Sequence, residues 1–202
     1  MNSRASTIAY TLHGNCYLNI TSHCTLRCGF CPKFNGSWEV QHYELRLYEE
    51  PSADDIVAAA GDPSRYNEIV FCGLGEPTRR LDVMLEVAER LHNEGARIRV
   101  NTDGLANLIH ARDVTPEFAG LIDAVSISMN AHNEPTYNRH CRPRQPQAFS
   151  AMLAFSRSVS EYVPEVVMTA IDGLPGVDIS ACQEIADEIG VTFRRRVLDK
   201  VG

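Results

Sequence analysis

Three cysteines, Cys24, Cys28 and Cys31, fall within eight consecutive residues in a Cys-x3-Cys-x2-Cys spacing. Thiolates on one short loop suit a metal ion or an iron–sulfur cluster, and three of them leave a four-ligand site one protein ligand short. The open position is where chemistry could take place. His23 or His42 could instead complete a Cys3His zinc set, so the spacing alone leaves zinc and iron–sulfur both open.

A second group follows at Gly73, Leu74, Gly75, Glu76 and Pro77. Two glycines allow close backbone approach to a ligand, and Glu76 offers a carboxylate to a cation such as an ammonium; a plain β-α turn closed by Glu and Pro reads equally from these residues. Asn101-Thr102-Asp103-Gly104 and Ser126-Ile127-Ser128-Met129-Asn130 place small polar side chains at strand ends. These suit hydrogen bonding to hydroxyls, carboxylates or amides, or else turn and cap chemistry.

The elements that must hold these groups follow from hydrophobic pattern. Apolar runs Ile8 to Leu12 and Cys16 to Thr21 flank His13, Gly14 and Asn15, which predicts a short N-terminal β-hairpin running straight into the cysteines. After a polar, aromatic-containing stretch from Trp38 to Tyr48, Ser52 reads as the N-cap of a helix through Asp54 to Ala60. Strands are expected at Asn67 to Cys72, Arg97 to Thr102, Ala124 to Met129, Glu165 to Ile171 and Val191 to Val197. Between them lie helices at Leu81 to Asn93, Gln147 to Ser160 and Ser180 to Ile189, with short helices between Leu105 and Leu121. Six β-α units of this kind imply an α/β fold with right-handed crossovers, a parallel sheet and ligand chemistry at the strands' carboxyl ends.

The chain has 202 residues and 44% hydrophobic content, which fits one soluble domain over residues 1–202. It contains no run of about 18 apolar residues, and its first residues lack a secretory layout, so the cytoplasm and no membrane partner are expected. Seven cysteines, an odd number in a chain of this size, point to thiolate ligands in a reducing compartment rather than a disulfide framework. The net charge of −7 disfavours a general nucleic-acid binder, although Arg194, Arg195 and Arg196 form a basic run. On a strand, Arg194 and Arg196 share one face and Arg195 takes the other; whichever face points inward, that of Arg195 or its opposite, could hold a carboxylate or phosphate, and the alternative is solvated charge at a strand edge. Arg79 and Arg80 follow the Gly-Glu-Pro turn. Cys16, Cys72 and Cys182 read as buried core thiols, whereas Cys141, flanked by Arg139, His140 and Arg142, is a candidate hydrogen donor.

The cysteine spacing joined to Gly75-Glu76-Pro77 after the second sheet strand resembles the radical S-adenosylmethionine (radical SAM) superfamily. The run from Tyr10 to Thr21 into the cysteines is similar to the short TatD-associated radical SAM proteins. The resemblance implies an incomplete (β/α)6 partial TIM barrel without an auxiliary domain, one 4Fe-4S cluster on Cys24, Cys28 and Cys31, and S-adenosylmethionine at the fourth iron. It implies further that Phe30 lies near the adenine, that Gly75 and Glu76 bind the methionyl ammonium, and that Ser128, Asn130 and more distantly Thr102 meet the carboxylate and ribose. A reductant such as flavodoxin or ferredoxin, and a functional link to a TatD-type hydrolase, also follow from it. Leu74 stands where many members carry a glycine, and Val167 to Ile171 lack the glycines usual in the fifth strand. The activity so implied is reductive cleavage of S-adenosylmethionine to a 5′-deoxyadenosyl radical that takes hydrogen from a substrate. Two alternatives stand beside it: a small-heterocycle enzyme like 7-carboxy-7-deazaguanine synthase, whose characteristic glycine-rich segment before the cysteines is not seen here, and a zinc-stabilised binding module.

Overall fold

The computed structural model describes residues 6–197. A hairpin of β1 (Ala9–Leu12) and β2 (Asn15–Leu18) opens the chain, with His13 and Gly14 at positive φ in its turn. The parallel strands β5 (Ile69–Phe71), β6 (Ile98–Thr102), β7 (Ala124–Ser128), β8 (Glu165–Asp172) and β9 (Thr192–Val197) join β2 in one sheet, after a small hairpin of β3 (Glu39–Val40) and β4 (Tyr43–Glu44). The sheet order is β1-β2-β5-β6-β7-β8-β9, antiparallel only at β1·β2. Six parallel strands in sequence order, with β1 and β9 at the edges among the described residues, give the expected α/β fold as an open, partial barrel.

Helices α1 (Ala53–Ala60), α2 (Leu81–Asn93), α3 (Ala106–His110), α4 (Glu134–Cys141), α5 (Ala148–Val159) and α6 (Ile179–Ile189) connect the strands. Helix α1 starts as its sequence dictates. Ser52 accepts from the Asp55 N–H while the Asp55 carboxylate accepts from the Ser52 N–H, a reciprocal capping box. Helix α2 buries Leu81, Met84, Val87, Ala88 and Leu91, a stripe at three- and four-residue spacing.

Strand alternation divides the sheet into two unlike faces. Val125 and Ile127 of β7, and Val166, Met168 and Ala170 of β8, belong to the apolar core. Their neighbours Ser126, Ser128 and Thr169 instead line a cavity on the inner face.

Three expectations are corrected. Strand β2 ends at Leu18 rather than Thr21, because the Asn19 side chain leaves the ladder to donate to the carbonyls of Thr7 and Leu45 at 2.9 and 3.0 Å. The Trp38 to Tyr48 stretch contains the β3–β4 hairpin, turned by Gln41 and His42 at positive φ. Helix α4 gave no apolar periodicity in sequence: its composition is polar, and only Thr136, Tyr137 and Cys141 are buried. Its start is nonetheless specified, since Asn133 caps the Thr136 N–H and Pro135 sits in the first turn.

Candidate active site

The segment leaving β2 carries the cysteines and is clamped from two sides. On one side, the Arg27 N–H donates to the Cys141 carbonyl at 3.0 Å and the Gly29 N–H to the His140 carbonyl at 2.8 Å. These carbonyls belong to the last turn of α4, which an α-helix leaves without internal partners. On the other side, the Glu76 N–H donates to the His23 carbonyl at 2.8 Å, and Lys33 Nζ bridges the carbonyls of Ser22 and Leu74 at 3.0 and 2.7 Å. Gly75 is required here. A Cβ at that position would lie 2.1 Å from the Thr21 carbonyl oxygen and 2.8 Å from that of His23. The glycines of this turn therefore serve an approach between two protein segments; at Gly73 the added Cβ would meet Asn19 Oδ1 at 2.2 Å.

Cys24, Cys28 and Cys31 all face a cavity of about 330 Å³. Burial pushes the Cys24 thiol far up, helped by the negative charge of Asp103 and Glu76; Cys28 is raised by its hydrogen bond with Cys141 and by burial, and Cys31 by burial. Thiols so placed ionise only against a strong local positive charge, which a bound metal centre provides. The Tyr137 hydroxyl is buried without a hydrogen-bond partner, and its ionisation is opposed by burial and by Cys141, Asp103, Cys28 and Cys24. Three thiols on one cavity wall with an unpartnered donor nearby fit a thiolate-held cluster. Neither histidine offered for a Cys3His zinc set lines this cavity: His23 is 72% exposed and pairs with Glu50, and His42 is 95% exposed near Glu39.

Glu76 lines the cavity but its carboxylate is already engaged. Oε1 accepts from the Thr78 N–H at 3.1 Å, the Thr78 hydroxyl at 2.7 Å and the Thr102 hydroxyl at 2.8 Å, while Oε2 accepts from the Asp103 N–H at 2.7 Å. These bonds tie the turn after β5 to the end of β6, while Oε2, with a single donor, retains an acceptor site toward the cavity. Asp103 in turn accepts from the Thr25 hydroxyl, beside Cys24, and from the Leu105 N–H at 3.1 Å. Burial, then the neighbouring Glu76, pushes the Asp103 carboxyl well above its ordinary value.

Phe30, Gly75, Thr102 and Ser128 all line the same cavity as the cysteines. Asn130 lies just beyond β7 at φ 58°, buried beside this wall; its Oδ1 accepts from Arg196 Nη2 at 2.9 Å and its Nδ2 sits 4.0 Å from Cys141 Sγ. Cys141 is wholly buried against Cys28, so its basic flanks do not make it an exposed thiol facing a substrate. Cys72 is corrected from core to cavity wall: Ile69 and Phe71 alternate into the core, so Cys72 falls on the other face, its N–H still held by the Leu18 carbonyl at 3.0 Å. Cys16 and Cys182 are core thiols as expected, pushed by burial to about 11 and about 12. Asp103, Ser126, Thr169, Arg194 and Arg196 join the wall. The i, i+2 alternation of Ser126 with Ser128 and of Arg194 with Arg196 was the signal that could have placed three of them there.

The model of the radical SAM superfamily matches residues 18–189. The chain belongs to the radical SAM superfamily. It is thus an enzyme of that superfamily, whose members use a 4Fe-4S cluster and S-adenosylmethionine. It is 32% identical over 102 residues to 7-carboxy-7-deazaguanine synthase of Halobacterium salinarum, covering 49% of this chain and 37% of that one. It is 28% identical over 168 residues to the tungsten-containing aldehyde ferredoxin oxidoreductase cofactor-modifying protein of Pyrococcus furiosus, covering 76% of this chain and 43% of that one. The chain thus spans less than half the length of these curated relatives. Among solved structures, Streptococcus suis SuiB bound to S-adenosylmethionine superposes with a TM-score of 0.64 at 13% identity, over 91% of this chain and 40% of that one. At that identity the likeness concerns the fold.

Proposed function

We propose that this radical SAM enzyme cleaves S-adenosylmethionine reductively in the cavity described, and that the resulting 5′-deoxyadenosyl radical takes a hydrogen atom from a substrate held on the inner sheet face. The observation that carries the reading is the convergence of Cys24, Cys28 and Cys31 on one cavity with the strand ends of β5, β6 and β7. A 4Fe-4S cluster on the three thiolates would supply the electron that breaks the carbon–sulfur bond of the sulfonium. The chain's own residues bind and orient. Gly75 and Glu76 are assigned to the methionyl ammonium, with the Glu76 carboxylate oriented by Thr78, Thr102 and Asp103. Ser128 and Asn130 are assigned to the carboxylate and ribose, Thr102 to a minor contact through the same network, and Phe30 to the adenine. Cys141 supports the cysteine loop rather than donating hydrogen. The electron donor is assigned to the flavodoxin or ferredoxin class.

The test is anaerobic reconstitution of the full chain with iron and sulfide. The expected product is a brown protein that forms 5′-deoxyadenosine from S-adenosylmethionine with dithionite; iron-loaded protein that forms none would overturn the reading. A second reading within the same chemistry, a small heterocyclic substrate, is favoured by the similarity to 7-carboxy-7-deazaguanine synthase. The TatD-type link rests on the residues from Tyr10 to Thr21 and is kept as a proposal.

A further inference from the structure

Other arginines on and beside the sheet strands have carboxylate partners. Arg97 pairs with Glu68 at 3.1 Å and Glu165 at 2.6 Å, Arg99 with Glu68 at 2.9 Å, and Arg195, on the outer face of β9, with Asp172. Arg194 and Arg196 differ. Both reach the cavity that holds the cysteines, and among the described residues neither has a carboxylate within ion-pair distance. Their polar contacts are neutral: Arg194 Nη2 donates to the Ser126 hydroxyl at 3.2 Å and Arg196 Nη2 to Asn130 Oδ1 at 2.9 Å. The Nε of Arg196 is buried with no partner among the described residues. Glu68 and Glu165 line a smaller cavity beside Arg194, but they are engaged by Arg97 and Arg99.

Two guanidinium groups on one cavity wall without an anion repel each other, and the more buried of them, Arg196, has lost part of its hydration while Arg194 stays exposed at the mouth. Burial, and then the charge of Arg194, lowers the Arg196 pKa from its ordinary value. A cation pair in this setting is stabilised by an oxyanion, which planar guanidinium forks bind through paired charge-assisted hydrogen bonds. The pair stands on β9, at the edge of the sheet opposite the β1–β2 hairpin that leads into the cysteines. Resting on the function proposed above, the geometry points to Arg194 and Arg196 as the subsite for an oxyanion of the substrate, a carboxylate or a phosphate. The substrate is thereby an anionic molecule whose charged end sits at β9 while the rest faces the cofactor.

The experiment is calorimetric titration of the anaerobic, cluster-loaded full chain with succinate and, separately, inorganic phosphate, each with and without saturating S-adenosylmethionine. At least one of the two should bind saturably, and which one distinguishes carboxylate from phosphate. Affinity should fall about tenfold or more in R194Q and R196Q, recover in part in R196K, and stay at the wild-type value in R195Q, whose side chain lies on the other face. S-adenosylmethionine, whose carboxylate is assigned to Asn130 beside Arg196, should weaken the wild-type anion binding without displacing it, because Arg194 is held apart on Ser126. Absence of saturable binding, equal binding in R194Q and R196Q, or displacement by S-adenosylmethionine would overturn the proposal, the last by giving the arginines to the cofactor. The wild-type titration stands even if a variant fails to fold. The two readings fail separately. Protein that forms 5′-deoxyadenosine but shows no arginine-dependent anion binding overturns the subsite alone, and protein that binds the anion but forms no 5′-deoxyadenosine overturns the cofactor reading.

Discussion

The two ends of the cavity are built on opposite principles. At the cysteine end most polar groups of the protein frame, the Tyr137 hydroxyl and Asn19 Oδ1 apart, are satisfied by the protein itself: the Glu76 carboxylate takes four hydrogen bonds, Asp103 holds Thr25, and the last carbonyls of α4 hold the loop on either side of Cys28. At the β9 end two guanidiniums lean on neutral oxygens, and one Nε has no partner among the described residues. A satisfied network fixes geometry, whereas an unsatisfied charge marks where a ligand completes it. The first end is held by its own contacts, and the second presents the charge that an anionic ligand would complete.

The largest expected effect lies in the cysteines themselves. Replacing Cys24, Cys28 or Cys31 singly by Ala should lower iron retained after anaerobic reconstitution and desalting by more than about tenfold, read by iron analysis beside circular dichroism. Next come residues whose loss would loosen the satisfied end. Glu76→Ala strands the donors of Thr78, Thr102 and Asp103 in a buried site and should cost about 3 kcal/mol in urea unfolding. Gly75→Ala drives a methyl group onto the Thr21 carbonyl and should cost about 2 kcal/mol, with weaker iron retention because the cysteine loop must shift. The β9 end should respond with the opposite sign. Arg196→Gln removes a like-charge partner of Arg194, so its unfolding free energy should stay within about 0.5 kcal/mol of wild type or rise above it. A loss as large as that of Glu76→Ala would erase the contrast between the two ends.

The smallest effect is a pH dependence outside the cavity. Glu50 accepts from Thr21 and His23 and pairs with Arg80 at 3.3 Å; although partial burial opposes it, these contacts hold its carboxyl below the ordinary range. A depressed folded-state pKa contributes stability above the unfolded carboxylate pKa of about 4.3 and loses it as pH falls through the lower folded value. Glu50→Gln should therefore lower Tm near neutrality by an amount worth less than about 1 kcal/mol, and the gap to wild type should close in acid.

What could be read without the structure follows the same division. The cysteine spacing, the Ser52 cap and the strand–helix alternation are local signals, and each survives folding with shifts of a few residues at its ends. Glu76 could not be read so simply. Its partners Thr102 and Asp103 arrive from the next strand, so a carboxylate that looked wholly free for an ammonium is partly tied down by tertiary contacts. Helix α4 was invisible because polar residues fill it and its burial rests on Thr136, Tyr137 and Cys141, yet its final turn grips the cysteine loop. Cys72 changed role because the apolar run did not show which alternate set of side chains, Ile69 and Phe71 or Val70 and Cys72, faces the core. For Arg194 and Arg196 the sequence showed a shared face but not its direction, which depends on how β9 joins β8.

The measurement that bears most directly on the whole account is the electron paramagnetic resonance spectrum of the dithionite-reduced, reconstituted full chain before and after S-adenosylmethionine is added. With three cysteine ligands and one iron left to the cofactor, the account predicts a cluster signal whose g-values shift on addition. A reduced cluster whose spectrum is the same with and without S-adenosylmethionine would contradict it.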